Sequence, residues 1–189
     1  LGHGVESTPV PQVWQYAIDI RPPAGDLHFM ESLRTPRGID LRVAVHSPRG
    51  ADTAVVLAPG QGYHMELPIL RRAAEEIEAA GMIALRFDWA YQTHGGKPSP
   101  ELKLEMEDLA TALYHARARL GAKHVVLGGK SLGAHLALRR ALEDPAIEGL
   151  VLLTPPLNDP EDPSIVRHNF DKLRKLEIPR AGAGISAVA

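Results

Sequence analysis

The sequence contains no cysteine, has no excess of basic residues and has no long hydrophobic run. Without cysteine, the 189-residue chain can form no disulfide, iron–sulfur cluster or thiolate zinc site, and it has no cysteine nucleophile. Lys and Arg number 21 against 23 Asp and Glu, a net charge of −2 that gives no basis for binding nucleic acid or anionic membranes. Apolar runs such as 125–127 and 150–153 are far too short to cross a membrane.

The sequence also lacks a metal-binding histidine motif and a signal peptide. No histidine pair has the spacing of a metal motif such as H-E-x-x-H, so we predict no metal, and we predict no cofactor. The first twenty residues lack the basic and apolar stretches of a signal peptide, which predicts a cytoplasmic protein. Because residue 1 is Leu, the chain is a processing product, a non-standard start or the cut edge of a longer reading frame.

The length predicts one domain that buries roughly 70% of its unfolded surface. Prolines at positions 9, 11, 22 and 23 indicate an irregular N-terminal arm over residues 1–25, followed by a single domain over 26–189. Within 26–48, two β-rich runs flank the turn signal T-P-R-G and predict a hairpin.

Strands and helices then alternate along the chain. Short apolar runs predict strands at 53–57, 82–87, 125–127 and 147–153. Helical spacing predicts one helix from Pro68 to a stop at Gly81, one with Ser99 as N-cap and Pro100 as its first residue, ended by Gly121, and one over 131–143. This alternation predicts an α/β three-layer sandwich with a mostly parallel, doubly wound sheet.

Residues 129–133 form the motif G-x-S-x-G between a predicted strand and a predicted helix. That context is the one required of a nucleophile elbow, with Ser131 as nucleophile and glycines where a side chain would strike the neighbouring strand or helix. The alternative is a glycine-rich turn in which Ser131 caps the helix. Residues 129–131 also match the tail of a phosphate-binding Walker A loop, but His124 stands where that loop needs glycine.

An acyl-transfer enzyme also needs N–H groups that bind the oxyanion. One is expected from Leu132, which follows the nucleophile, and one from the loop A-P-G-Q-G after the strand at 53–57, where Gln61 or Gly62 is the donor. An ordinary tight turn is the alternative for this loop. Residues of the loops at this sheet edge are predicted to contact a ligand: Gly60, Gly62, Tyr63, His64, Asp88, Trp89 and His94.

The runs VVLAPGQG, ALRFDWAY, VVLGGKSLGAHLA and GLVLLTPPL resemble, in this order, the alpha/beta-hydrolase superfamily, particularly its small dienelactone-hydrolase-like branch. The signatures A-P-G-x-G, L-R-F-D and G-G-K-S-L-G are similar to the hydrolase-like domain shared by a testis-expressed protein and a subunit of the NSL chromatin complex. The resemblance covers about residues 26–157. It implies that Ser131 is the nucleophile and that Gln61 and Leu132 lend backbone N–H groups.

The acid and the base of a catalytic triad are not evident. In such hydrolases they follow the nucleophile in the order acid, then His. Asp159, in the loop PLNDPEDP, is the acid candidate, and a solvated turn is the simpler interpretation of that loop. His168, in a predicted cap or crossover helix, is the base candidate, with His64 and His94 as rearranged alternatives; His135 is expected to be a packing or surface residue.

The chain ends in AGAGISAVA, which is one weak strand or the product of a truncated or shifted reading frame. We therefore expect a C-terminally incomplete domain whose sheet lacks its last strands. The sequence favours a serine hydrolase of ester or related acyl substrates, with a small acyl molecule as ligand. A non-catalytic hydrolase-like domain that binds a protein partner, or a truncated inactive hydrolase, is the alternative; no oligomeric state is predicted.

Overall fold

The computed structural model describes residues 27–156. The proposed N-terminal arm, the division between arm and domain at residue 25, and the expected loss of the last strands all concern residues outside this range and stay predictions. Within it, the strands and helices are, in chain order, β1 (Leu27–Arg34), β2 (Asp40–Ser47), β3 (Thr53–Ala58), α1 (Pro68–Ala79), β4 (Ile83–Phe87), α2 (Ala90–Thr93), α3 (Lys103–Ala118), β5 (His124–Lys130), α4 (Leu132–Glu143) and β6 (Gly149–Leu153).

The six strands form one mixed sheet in the order β1-β2-β4-β3-β5-β6. β1 and β2 form the predicted hairpin, with Arg34 opposite Asp40 and Gly38 at a φ of 80° in the turn. β2 pairs antiparallel with β4, whereas β3 pairs parallel with β4 and β5, and β5 with β6. This confirms the predicted fold class, an α/β fold with a mostly parallel sheet.

Helices cover both faces of the sheet, and β3 shows how the sequence separates the two faces. Its side chains alternate: Val56 joins the core cluster that also contains Leu109 of α3 and Leu136 of α4. Val55 and Leu57 join a second cluster with Ala74 of α1. Each buried Val or Leu contributes roughly 1.5–3 kcal/mol to folding, so a strand buried on both faces must be apolar throughout.

The start of α3 differs from the prediction. Residues 100–102 form a 3-10 turn in which Glu101 and Leu102 have positive φ values of 57° and 58°, and α3 begins at Lys103 rather than at Pro100. The cause is the buried carboxylate of Glu105, which accepts hydrogen bonds from the N–H (3.0 Å) and Oγ (2.6 Å) of Ser99. Ser99 Oγ still accepts a hydrogen bond from the N–H of Leu104 at 3.0 Å. Ser99 therefore caps α3 although it does not directly precede the first residue of the helix.

The other helix ends match the sequence. Pro68 is the first residue of α1, and Gly81 follows its end at a φ of 78°. Gly121, after α3, has a φ of 75°. At both glycines the positive φ is a conformation that residues with a side chain disfavour. The four-residue helix α2, in the loop after β4, was not predicted, because four residues carry no periodic signal.

Between residues 27 and 156, no helix is both long enough and apolar enough to span a bilayer. The cytoplasmic location expected from the sequence stays a prediction.

Candidate active site

Ser131 is the single residue between β5 and α4, and its backbone is strained, with φ 50° and ψ −110°. Such values cost a residue with a side chain on the order of 1–3 kcal/mol. The N–H of Ser131 donates to the carbonyl of Leu153 in β6, and its own carbonyl accepts from the N–H of His135, each at 3.0 Å. The Ser131 side chain makes no capping hydrogen bond to α4. Ser131 thus stands at the N-cap position without capping α4 through its side chain, in the strained strand-to-helix turn that a nucleophile elbow requires.

The glycines of the motif are required by space. A Cβ on Gly129 would lie 2.4 Å from the carbonyl carbon of Gly133, and a Cβ on Gly133 would lie 2.2 Å from the carbonyl oxygen of Ala58 at the end of β3. No real side chain approaches a backbone atom so closely. The predicted steric reason for both glycines is thereby confirmed: α4 begins in direct contact with β5 and β3.

The loop after β3 passes directly against the elbow. A Cβ on Gly60 would lie 3.4 Å from the Cβ of Ser131 and 3.2 Å from the carbonyl oxygen of Lys130. Gly60 and Tyr63 close a turn, in which the N–H of Tyr63 donates to the Gly60 carbonyl at 3.2 Å and Gly62 has a φ of 73°. Glycine at the third position with positive φ is typical of a type II turn. The structure therefore brings the predicted oxyanion loop next to Ser131.

Asp88 and Trp89 hold this loop in place. Both are buried at the end of β4. Trp89 Nε1 donates to the carbonyl of Pro59 at 2.9 Å, and Asp88 Oδ1 accepts from the N–H of Met65 at 2.7 Å. Arg42 of β2 adds an ion pair to Asp88 Oδ2 at 3.3 Å. The observed contacts give Asp88 and Trp89 a positioning role at the two ends of the loop, and their ligand contact stays a prediction.

Exposed groups of the same loop lie beside the elbow. Lys130, which precedes Ser131, places its Nζ 4.3 Å from the ring centre of Tyr63, a cation–π contact between β5 and the loop. His64 is exposed, and its Nδ1 lies 3.8 Å from Asp88 Oδ1. Nothing in the sequence pattern predicted that Lys130 would lie over Tyr63, because the pairing depends on how closely the loop approaches β5.

His94 follows α2 and is exposed. Gln92, two residues earlier, links α2 to the loop because its Nε2 donates to the carbonyl of Tyr63. The remaining candidates, His168 and Asp159, lie outside the range that the structure describes. The structure thus brings together Ser131, Leu132 and the loop at residues 59–65, and the catalytic roles of these residues stay predictions.

The start of α2 is fixed by a buried acid, Asp108 of α3. Asp108 Oδ2 accepts from the N–H of Ala90 at 2.9 Å, and Oδ1 contacts the guanidinium of Arg37 in the hairpin turn. Burial raises the pKa of Asp108 to about 6, an effect opposed by the Ala90 N–H and by Arg37 and increased by Glu105.

This pKa predicts a pH-dependent stability. Because the folded chain ionises Asp108 less readily than the unfolded chain, the contribution of Asp108 to folding is complete below about pH 4 and falls as the pH rises to about 6. The free energy of unfolding of the unaltered protein, measured in urea relative to Asp108→Asn, should therefore fall between these pH values. Measured relative to Asp144→Asn, the pH dependence should have the opposite sign and lie below about pH 4, because Ala146, Arg117 and Arg140 outweigh burial and lower the pKa of Asp144, so its contribution to folding is lost as the pH falls. Parallel curves for the unaltered protein and Asp108→Asn would refute the prediction.

Comparison with known proteins agrees with the fold. Residues 51–181 match the sequence model of an alpha/beta hydrolase domain family. The chain belongs to this alpha/beta hydrolase domain family. No curated protein sequence matches the chain.

Solved structures with the same fold include three enzymes. A dienelactone hydrolase from Anabaena variabilis superimposes with a TM-score of 0.63 at 23% identity over 80% of this chain and 82% of its own. An esterase from Pyrococcus furiosus gives 0.59 at 21% identity over 74% of this chain and 57% of its own. A cold-adapted esterase from an Arctic intertidal metagenomic library gives a TM-score of 0.56 at 20% identity, over 66% of this chain and 59% of its own. The chain thus spans less than two thirds of both esterases, and identities this low show the fold alone.

Proposed function

We propose that this chain is a serine hydrolase of esters or related acyl substrates, in which Ser131 forms an acyl-enzyme. The observation that carries the proposal is the strained backbone of Ser131, with φ 50° and ψ −110°, in a turn whose glycines have no room for a side chain. The loop at Gly60 lies against Ser131, where acyl transfer requires an N–H group that binds the oxyanion, and this position supports the proposal. The dienelactone hydrolase and esterase folds among the structural neighbours support the proposal.

In the proposed mechanism, Ser131 Oγ attacks the acyl carbonyl carbon while a base takes its proton. The carbonyl oxygen becomes an oxyanion that accepts hydrogen bonds from the N–H groups of Leu132 and Gln61. The tetrahedral intermediate then collapses, and the leaving alcohol takes the proton from the base. Water, deprotonated by the same base, then attacks the acyl-enzyme. The base returns this proton to Ser131 Oγ, and the carboxylic acid product leaves.

Three histidines are proposed as alternative bases. His168 with Asp159 as its acid follows the chain order that the family resemblance implies. His64 has an acidic neighbour in Asp88, with 3.8 Å between Nδ1 and Oδ1, and a shorter distance would give the hydrogen bond by which an acid orients a catalytic base. His94 lies on the loop after α2, which Gln92 joins to Tyr63.

The proposal is tested with a fluorophosphonate probe, which reacts only with an activated serine. We expect the folded full chain to gain one covalent adduct by mass spectrometry, and Ser131→Ala to gain none. Ser47→Ala, a change at the end of β2, is the matched control and should react fully. Among His64→Ala, His94→Ala and His168→Ala, the variant that loses the base should react about 10²–10⁴-fold more slowly.

A second candidate function is a hydrolase-like domain that binds a small ligand or a protein partner without catalysis. One observation favours it. The buried carboxylate of Asp88 accepts a hydrogen bond from Met65 and pairs with Arg42, so it holds the loop in place instead of orienting a catalytic histidine. The similarity that the sequence signatures suggest to the domain of the testis-expressed protein and the NSL subunit stays a prediction and would favour the same candidate. A folded sample that gains no adduct would reject the hydrolase and favour this candidate.

A further inference from the structure

Three potential metal ligands from distant parts of the sequence meet beside the β1–β2 hairpin. His28 and His46 are directly opposite each other in the hairpin register, and their ring centres are 4.3 Å apart. Glu78, in the last turn of α1, contacts both: Oε1 meets His28 Nε2, and Oε2 lies 3.0 Å from His46 Nδ1. In the range that the structure describes, this is the one group of three such side chains whose ligand atoms lie within 4.8 Å of one another.

The position of Glu78 indicates that the cluster needs a positive charge. The C-terminal end of a helix carries a partial negative charge, so a carboxylate there is unfavourable without a cationic partner. A divalent cation held by both imidazoles and by this carboxylate would be such a partner.

We propose that His28, His46 and Glu78 form a binding site for a Zn²⁺ ion. Two imidazole nitrogens and one carboxylate oxygen are a ligand set that zinc accepts, with bonds of about 2.0–2.2 Å. Ligand atoms on one such ion lie roughly 3–4 Å apart, so small rotations of the three side chains suffice to seat it. Nitrogen ligands disfavour Mg²⁺ and Ca²⁺, which prefer oxygen.

The surroundings limit the affinity of this site. His46 Nε2 lies 3.3 Å from Nη2 of Arg86, and zinc on Nδ1 would leave the ring proton on Nε2, facing that guanidinium. Arg86 is held by the carbonyl of Met65 at 2.9 Å and by Glu66 at 3.5 Å. In most zinc sites, each histidine donates its second ring N–H to a hydrogen-bond acceptor. Because His46 faces Arg86 instead of such an acceptor, we expect zinc to bind about 10–100-fold more weakly than at a pair of histidines that have one.

Zinc would join three separate elements, β1, β2 and α1. β1 is an edge strand and pairs only with β2 among the strands of residues 27–156, so a metal bond to α1 would fasten this edge to the rest of the fold. Since a ligand that binds only the folded state stabilises it, zinc should raise the unfolding temperature.

The test is a calorimetric titration of the metal-stripped full chain with zinc chloride, accompanied by thermal unfolding. We expect one equivalent of zinc at the cluster and an unfolding temperature that rises with zinc. His28→Ala and Glu78→Gln should each weaken this binding by more than about 10–100-fold, the cost of losing even an outer-shell partner. Neither should unfold the chain, because the His28 side chain is largely exposed and glutamine preserves the size of Glu78.

The matched control is His124→Ala. His124 and Glu148 form an exposed pair of the same chemistry, with 2.9 Å between Nδ1 and Oε1 but no third ligand among the described residues. This variant should keep both the zinc equivalent and the rise in unfolding temperature. The proposal is overturned if the unaltered chain binds no zinc, or if His28→Ala and Glu78→Gln bind it as the unaltered chain does.

Discussion

Gln61→Pro should slow acyl transfer by about 10²–10³-fold, whereas Gln61→Ala should leave the rate nearly unchanged. Proline removes the backbone N–H that we propose as an oxyanion donor, and the loss of one such donor has an effect of this size. Alanine removes the side chain and keeps the N–H. The contrast therefore tests the backbone group alone. The measurement is the rate of p-nitrophenyl acetate hydrolysis together with the rate of fluorophosphonate labelling.

The turn makes this substitution sterically acceptable. Gln61 follows Gly60 and precedes Gly62, whose φ is 73°, so Gln61 is the second residue of a type II turn. Proline favours that position, and glycine before it tolerates the restriction that proline imposes. Gln61→Pro should thus unfold at the same urea concentration as the unaltered protein. If its two rates equal those of Gln61→Ala, the donor is the N–H of Gly62 and the assignment of Gln61 is wrong.

Gly133→Ala should destabilise the fold by more than about 4 kcal/mol, a cost reached by few single substitutions. The added Cβ would lie 2.2 Å from the carbonyl oxygen of Ala58 and 2.8 Å from that of Pro59. Both are backbone atoms, so relief requires α4 to move away from β3. Urea unfolding followed by circular dichroism measures the loss, and a chain that no longer folds is the extreme of the same result.

Gly38→Ala is the control for the effect of alanine itself. Gly38 has a φ of 80° in the hairpin turn, and a Cβ there would meet nothing within 4 Å. Its cost is therefore only that of a left-handed backbone, about 1–2 kcal/mol. Equal losses in Gly38→Ala and Gly133→Ala would show that the contact between α4 and β3 is looser than the structure has it.

The features predicted successfully depend on local sequence. The apolar run at 53–57 predicted a strand buried on both faces, and Gly81 predicted the end of α1, because each signal lies within the element that it specifies. The steric role of Gly129 and Gly133 followed from the motif and its position between strand and helix. The geometry of the elbow was therefore predictable before any contact was known.

Features that depend on distant contacts were missed. The late start of α3 results from Glu105 reaching back to Ser99, and no propensity of residues 100–102 predicts it. The partners of Asp88 come from a loop and from the hairpin, which local patterns do not pair.

The histidine–glutamate cluster was missed for a related reason. A search for metal motifs compares residues a few positions apart, whereas these ligands lie at positions 28, 46 and 78. The hairpin centred on residues 35–39 does place His28 opposite His46. Glu78 joins them only through the packing of α1 against β2, which sequence periodicity does not specify.

At position 131, the backbone conformation favours glycine, whereas the proposed chemistry needs the serine hydroxyl. Glycine adopts positive φ without strain, so glycine at residue 131 would make the turn more stable than serine does. The hydroxyl thus occupies a residue at which the chain would gain stability from having no side chain. Laboratory evolution for heat resistance alone would tend to discard the candidate nucleophile, and any stabilised version of this protein has to be selected for reactivity at the same time.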